Sequence, residues 1–145
     1  MKLKRYFVSI FYVCSLTLVL AATFTSCGDP NACAPGEKCE CAGAGNCSRY
    51  CTGEGCTFSC AGQGNCDFQC DKGKCEITAS GQGTATLSCK GGGCSANVSG
   101  QMEASLSCPG NNCTMDCSGS GDCSIKDCTQ GCKCNSTAVT ASCSE

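Results

Sequence analysis

The sequence predicts an all-β fold: a disulfide-stapled, two-sided parallel β-solenoid of about five 19-residue coils. Three observations predict it. Cysteine returns every 19 residues along Cys56, Cys75, Cys94, Cys113 and Cys132. Within each repeat, two five-residue segments place Cys or apolar residues at their first, third and fifth positions, the period of a strand with one inward face. Between those segments lie turns of four or five residues rich in Gly, Ser, Asn and Asp. A period near 20 residues with two short strands per copy is the mark of a solenoid, each coil stacking on the last at about 4.8 Å. Five copies make a rod roughly 25 Å long on that spacing. An antiparallel meander of the same strands is the rival, and it gives no reason for four- and five-residue gaps to alternate on one cycle.

Residues 1–26 have the form of a signal peptide. Lys2, Lys4 and Arg5 are followed by an apolar run from Phe7 to Ala22, shorter than the roughly 20 residues a spanning helix needs. The run ends in Phe24-Thr25-Ser26-Cys27, which resembles a bacterial lipobox, with Phe24 where that pattern prefers Leu. The resemblance implies cleavage before Cys27, a lipid on its sulfur, and anchorage of an exported protein to a lipid bilayer of the cell envelope; the outer membrane or cell surface is favoured over the inner membrane, a choice the residues themselves leave open. Cysteine arithmetic agrees. Of 22 cysteines, loss of the signal removes Cys14 and lipidation occupies Cys27, which leaves 20, an even number.

The mature chain carries few large apolar residues: six aliphatics, namely Ile77, Leu87, Val98, Leu106, Ile125 and Val139, and three aromatics, Tyr50, Phe58 and Phe68. That is too little for an ordinary core, so covalent staples must supply order. Without Lys2, Lys4 and Arg5, seven basic residues face twelve acidic ones, a net charge of −5. This balance argues against nucleic acid as a partner.

Residues 27–38 are the lipidated cysteine and a polar stretch read as a tether or first cap. Residues 39–136 hold the repeats. From Ala42 the copies run 42–60, 61–79, 80–98, 99–117 and 118–136, and the last slips by one residue, with Cys128 where 127 is expected. The inward centre of the first strand is Arg49, Phe68, Leu87, Leu106 and Ile125; that of the second is Phe58, Ile77, Ala96, Met115 and Cys134. Arg49 breaks the pattern and is placed in the first coil, where a side chain escapes at an open end. Residues 137–145 form a C-terminal cap.

The repeats also test cysteine pairing. Where the second strand ends in Ala79 or Val98 instead of Cys, the next strand begins with Ala85 or Ala104. Joint loss of two columns implies the bridges Cys41–Cys47, Cys60–Cys66 and Cys117–Cys123. The remaining columns give Cys51–Cys56, Cys70–Cys75, Cys89–Cys94, Cys108–Cys113 and Cys128–Cys132. Cys33–Cys39 and Cys134–Cys143 are assigned from the remainder. Facing sheets lie about 10 Å apart, whereas bridged Cα atoms lie within about 4.4–6.8 Å, so every bridge is expected at a turn.

Other chemistry fits less well. A metal-thiolate protein is an alternative for so many cysteines, but there is no C-x-x-C and no His. The Gly-rich turns resemble the calcium-binding nonapeptide of secreted toxins in rhythm, without its recurring Asp. No metal or cofactor is therefore assigned. Catalysis lacks a His base or paired carboxylates, and no catalytic residue is named. The outward faces resemble those of insect antifreeze solenoids, although Asp, Glu and Lys interrupt the Thr ranks. The expected function is a lipid-anchored structural or display rod of the cell envelope. The alternative is a secreted module that binds a surface, a glycan or ice.

Overall fold

A computed structural model describes residues 29–137 and 143–144; residues 1–28, which include the expected signal peptide and Cys27, and residues 138–142 and 145 lie outside the described residues. The described part is a parallel β-solenoid of about six turns. Its strands are β1 (Ala32–Cys33), β2 (Lys38–Gly43), β3 (Cys47–Cys51), β4 (Thr57–Gly62), β5 (Cys66–Gln69), β6 (Glu76–Ser88), β7 (Ser95–Ser107), β8 (Thr114–Cys117), β9 (Cys123–Lys126), β10 (Lys133–Ser136) and β11 (Cys143–Ser144).

One face stacks β1, β3, β5, the second halves of β6 and β7, then β9 and β11. The other stacks β2, β4, the first halves of β6 and β7, then β8 and β10. Every pairing is parallel and most partners are 19 residues apart, as Phe68 beside Leu87 or Ile77 beside Ala96. A parallel in-register ladder puts residue i beside i+19, which is why chemistry recurs on that step. It also stacks residues of similar character along each column, as Phe68, Leu87, Leu106 and Ile125.

The stack begins earlier than the repeat pattern suggests. The segment read as a tether or first cap contributes a winding of its own, and the compact unit starts at Asn31. Its first strand pairs Ala32 with Tyr50 and Cys33 with Cys51, a step of 18 rather than 19, which hides it from a search at the longer period. Arg49 is therefore not in the terminal winding. β1 is only two residues long, and the Arg49 guanidinium leaves past its end, donating from Nη1 to Asn31 Oδ1 at 3.0 Å and to the Ser48 carbonyl at 3.4 Å.

The interior is a single file of side chains from both faces. Phe58, Phe68, Leu87, Leu106, Met115 and Ile125 are fully buried, and the described residues include no buried polar or charged side chain. Phe58 and Phe68 stack across the interior with ring centroids 4.6 Å apart and planes at 17°, an offset aromatic pair of about 0.5–1.5 kcal/mol beyond area burial. At both ends of the stack, cysteine takes over the central inward column of the second face. Cys39 stands beside Phe58 and Cys134 beside Met115.

Two rims join the faces. The wide rim has five-residue turns such as 61–65; the tight rim has four-residue turns such as 71–74. At the wide rim, Gly81 has φ +119°, and a Cβ there would overlap the carbonyl oxygen of Gly62 in the winding below. Glycine is required for that close backbone approach as well as for the positive φ. From the second winding onward the tight rim has a left-handed residue just before its second cysteine: Gly55, Lys74, Gly93, Asn112 and Gly131. The one-residue slip of the last copy is absorbed there. Asp127 takes φ +60°, the turn shortens to 129–131, and Asn111 Oδ1 fastens it by accepting from the backbone N–H of Thr129 and Gln130, each at 3.0 Å.

Candidate functional site

The described structure has two chemically distinct features, the sulfur of the rims and a polar furrow along one face. Among the described residues, nine disulfides have both partners in view: Cys33–Cys39, Cys41–Cys47, Cys51–Cys56, Cys60–Cys66, Cys70–Cys75, Cys89–Cys94, Cys108–Cys113, Cys117–Cys123 and Cys128–Cys132. Their Cα separations run from 5.8 Å to 6.6 Å, which the solenoid reaches only where the chain turns from one face to the other. Cys134 is also disulfide-bonded. The side chain of Cys143, assigned to it from sequence, lies outside the described residues, as does the lipidation site assigned to Cys27.

Successive tight-rim bridges lie on top of one another. Three groups of sulfurs, from Cys51, Cys70 and Cys75, from Cys89, Cys94 and Cys113, and from Cys108, Cys128 and Cys132, each fall within 4.8 Å of one another. Thiolate spacing of this kind would suit a soft metal ion, but all nine sulfurs are tied in disulfides and none is a thiolate in this state.

The wide rim lacks two bridges, and the structure compensates in a way the repeat does not announce. Without disulfides at Ala79/Ala85 and Val98/Ala104, the backbone ladder runs unbroken through the turns, so β6 and β7 are each 13 residues long and pair along their whole length. Met102 occupies a turn position held by glycine in the other windings, and it is buried to 1% exposure. Its thioether chain joins the buried core in a winding whose wide rim has no disulfide. Met was suited to that space by its flexibility. The sequence analysis does not single out Met102; its signal is a lone large apolar residue in one of the two turns flanked by unbridged ends.

A furrow runs beside the wide rim on the first face, in two continuous sections of about 470 Å³ and 520 Å³ that share Thr84 and Thr86. One bank is the column Asn46, Asn65, Thr84, Glu103 and Asp122, and the other is Ser48, Asp67, Thr86 and Ser105, with Ser124. The residue between the banks points inward as Cys47, Cys66, Ala85, Ala104 or Cys123, leaving a trough between two outward neighbours on each strand. Thr84 Oγ1 donates to Asn65 Oδ1 at 2.9 Å, linking one bank from winding to winding. A further hollow of about 410 Å³ on the second face is edged by Thr78, Asn97, Asp116 and Asn135. Such troughs offer ranked hydroxyl, amide and carboxylate groups every winding, at about 4.8 Å. They suit an extended polar ligand held by hydrogen bonds more than an enclosed small molecule.

Three ion pairs lie on the surface of the described residues. Lys74 meets Glu54 at 2.9 Å and Lys90 meets Asp71 at 3.0 Å, each joining adjacent windings at the tight rim. Lys38 meets Glu40 at 2.8 Å on the outward side of β2. The hydrogen bond from Lys38, with its positive charge, holds the Glu40 carboxyl below the ordinary value.

These features define a class: a disulfide-stapled parallel β-solenoid with a polar furrowed face. Comparison with protein-family models, with curated proteins and with solved structures finds no match.

Proposed function

We propose that this chain is an exported cell-envelope lipoprotein, held to a membrane by a lipid on Cys27, whose solenoid serves as a rigid structural or display rod without catalytic activity. The observation that carries the reading is the use of sulfur. Eighteen cysteines are tied in nine bridges, and Cys134 is bonded as well. Disulfides at that density persist in oxidising, extracytoplasmic compartments. Cys27 is set apart from them by the lipobox-like residues before it. The partner is then the lipid bilayer, reached through the N-terminal lipid.

Metabolic labelling with a fatty-acid analogue tests this. The wild-type chain is expected to incorporate label and fractionate with membranes. Cys27→Ser is expected to lose both. A Cys27→Ser chain that keeps the label would refute lipidation at this residue.

The furrow favours a second reading, a secreted binding module for a surface, a glycan or ice. Its ranked Asn, Thr and Ser side chains resemble a hydrogen-bonding lattice. Glycan arrays and ice-recrystallisation assays on the oxidised protein decide between these ligands, and no response in either would remove the reading.

A further inference from the structure

The last tight-rim bridge, Cys128–Cys132, differs from those stacked beneath it. It spans a sequence separation of 4, where the preceding four span 5. Both of its cysteines are half-buried, whereas Cys108 and Cys113 of the adjacent bridge are at 0% exposure. Its two sulfurs also have opposite surroundings. Cys132 Sγ accepts the backbone N–H of Cys113 at 3.4 Å. Cys128 Sγ instead faces oxygens, the Gln130 carbonyl at 3.5 Å and Asn111 Oδ1 at 3.8 Å.

A hydrogen-bond donor stabilises negative charge on sulfur, and oxygen lone pairs oppose it. When this bond is cleaved, the electron pair is therefore directed to Cys132. A lower-energy thiolate is also the better leaving group in exchange. The turn has other supports besides the bridge. Asn111 holds residues 129 and 130 by their N–H groups, and the ladder continues from Cys108 N–H to the Lys126 carbonyl and from Lys133 N–H to the Cys113 carbonyl, both at 2.9 Å.

We propose that Cys128–Cys132 is a thiol–disulfide exchange site for a dithiol partner, in which Cys128 is the sulfur attacked and Cys132 the sulfur released. A thiolate of the dithiol bonds to Cys128 Sγ, the Cys128–Cys132 bond breaks, and its electron pair leaves on Cys132. The second thiolate of the dithiol then attacks its own partner sulfur in the mixed disulfide and releases Cys128. The bridge gains two electrons and, with the two protons of the dithiol, ends as two thiols. The dithiol ends as a disulfide. The sulfurs of the other tight-rim bridges are buried, which shields them from the external dithiol.

The test uses the full oxidised chain without denaturant and dithiothreitol as the dithiol, quenched by alkylation at intervals. Trypsin cuts after Lys126 and Lys133 and isolates residues 127–133, which contain only Cys128 and Cys132. These two are expected to be alkylated at least about tenfold sooner than Cys108 and Cys113, with the far-ultraviolet β signal unchanged. With glutathione as a monothiol, the trapped adduct is expected on Cys128. The proposal is overturned if residues 127–133 open no faster than the Cys108–Cys113 bridge. It is equally overturned if the adduct sits on Cys132, or if the β signal decays in step with alkylation.

Discussion

Met102 stands directly beside Gly83 in the parallel ladder, but it carries a fully buried side chain at a position where its neighbours have none. The unbridged part of the rod is thus packed with a thioether where the rest is packed with disulfides. Met102→Ala removes most of that filling and leaves a space that the rigid ladder around it cannot close. The expected loss is about 2–4 kcal/mol, read by chemical denaturation of the oxidised protein. A loss under about 0.5 kcal/mol, the size of an ordinary surface change, would show that Met102 does not fill the gap.

Ala79 lies beside Cys60, and Ala85 beside Cys66, whose Cα atoms are 6.2 Å apart. The double change Ala79→Cys with Ala85→Cys is therefore expected to form a bridge spontaneously under oxidising conditions. By the chain-entropy relation for so short a loop it adds about 2 kcal/mol. Mass spectrometry of the intact and alkylated protein checks it; two free thiols in the folded protein would contradict the geometry.

Gly81 has no room for a Cβ against the Gly62 carbonyl, and its φ of +119° disfavours any L side chain. Gly81→Ala is expected to destabilise the rod by at least about 1–2 kcal/mol. Gly45 provides the control, because a Cβ there meets nothing within 4 Å. Equal melting temperatures for the two Ala variants would count against the close stacking of the wide rim.

The Lys38–Glu40 pair sets a pH dependence. Glu40 is held below its ordinary value of 4.5 by Lys38, so its contribution to stability is present above the unfolded value and is lost as the pH falls through the lowered folded value. The pair is exposed, and the effect on stability is small. Lys38→Met is expected to return the Glu40 titration, followed by NMR, toward its ordinary midpoint. An unchanged midpoint would show that Lys38 does not act on it.

Complete reduction is expected to abolish the β signal in circular dichroism, because the apolar file inside the rod is too narrow to hold the windings together without its cross-links. A reduced and alkylated chain that kept the native spectrum would show that the ladder and the interior column suffice.

Much of this architecture was legible in the residues. The strand pattern at Cys66-Asp67-Phe68 alternates in and out, and its return at Ala85-Thr86-Leu87 marks the register. Parallel ladders force that coincidence, since each residue must tolerate its own counterpart above and below. The first winding was less legible, because its strand pairs at a step of 18 and its central inward position is Cys39 rather than an apolar residue. The furrow was not legible as a site. Its two banks are a turn column and a strand column, and nothing in a linear pattern says that the rim folds one beside the other.

The sequence by itself determined the period, the inward columns and the positions at which sulfur could cross a turn, because each depends on local alternation and on a fixed step along the chain. Only the tertiary structure decided that Met102 turns inward, that Arg49 leaves past Asn31, and that Cys128–Cys132 has an N–H on one sulfur and oxygens on the other. Those outcomes depend on what neighbouring windings leave empty or place within a few ångströms, and such contacts arise only when the coils are stacked.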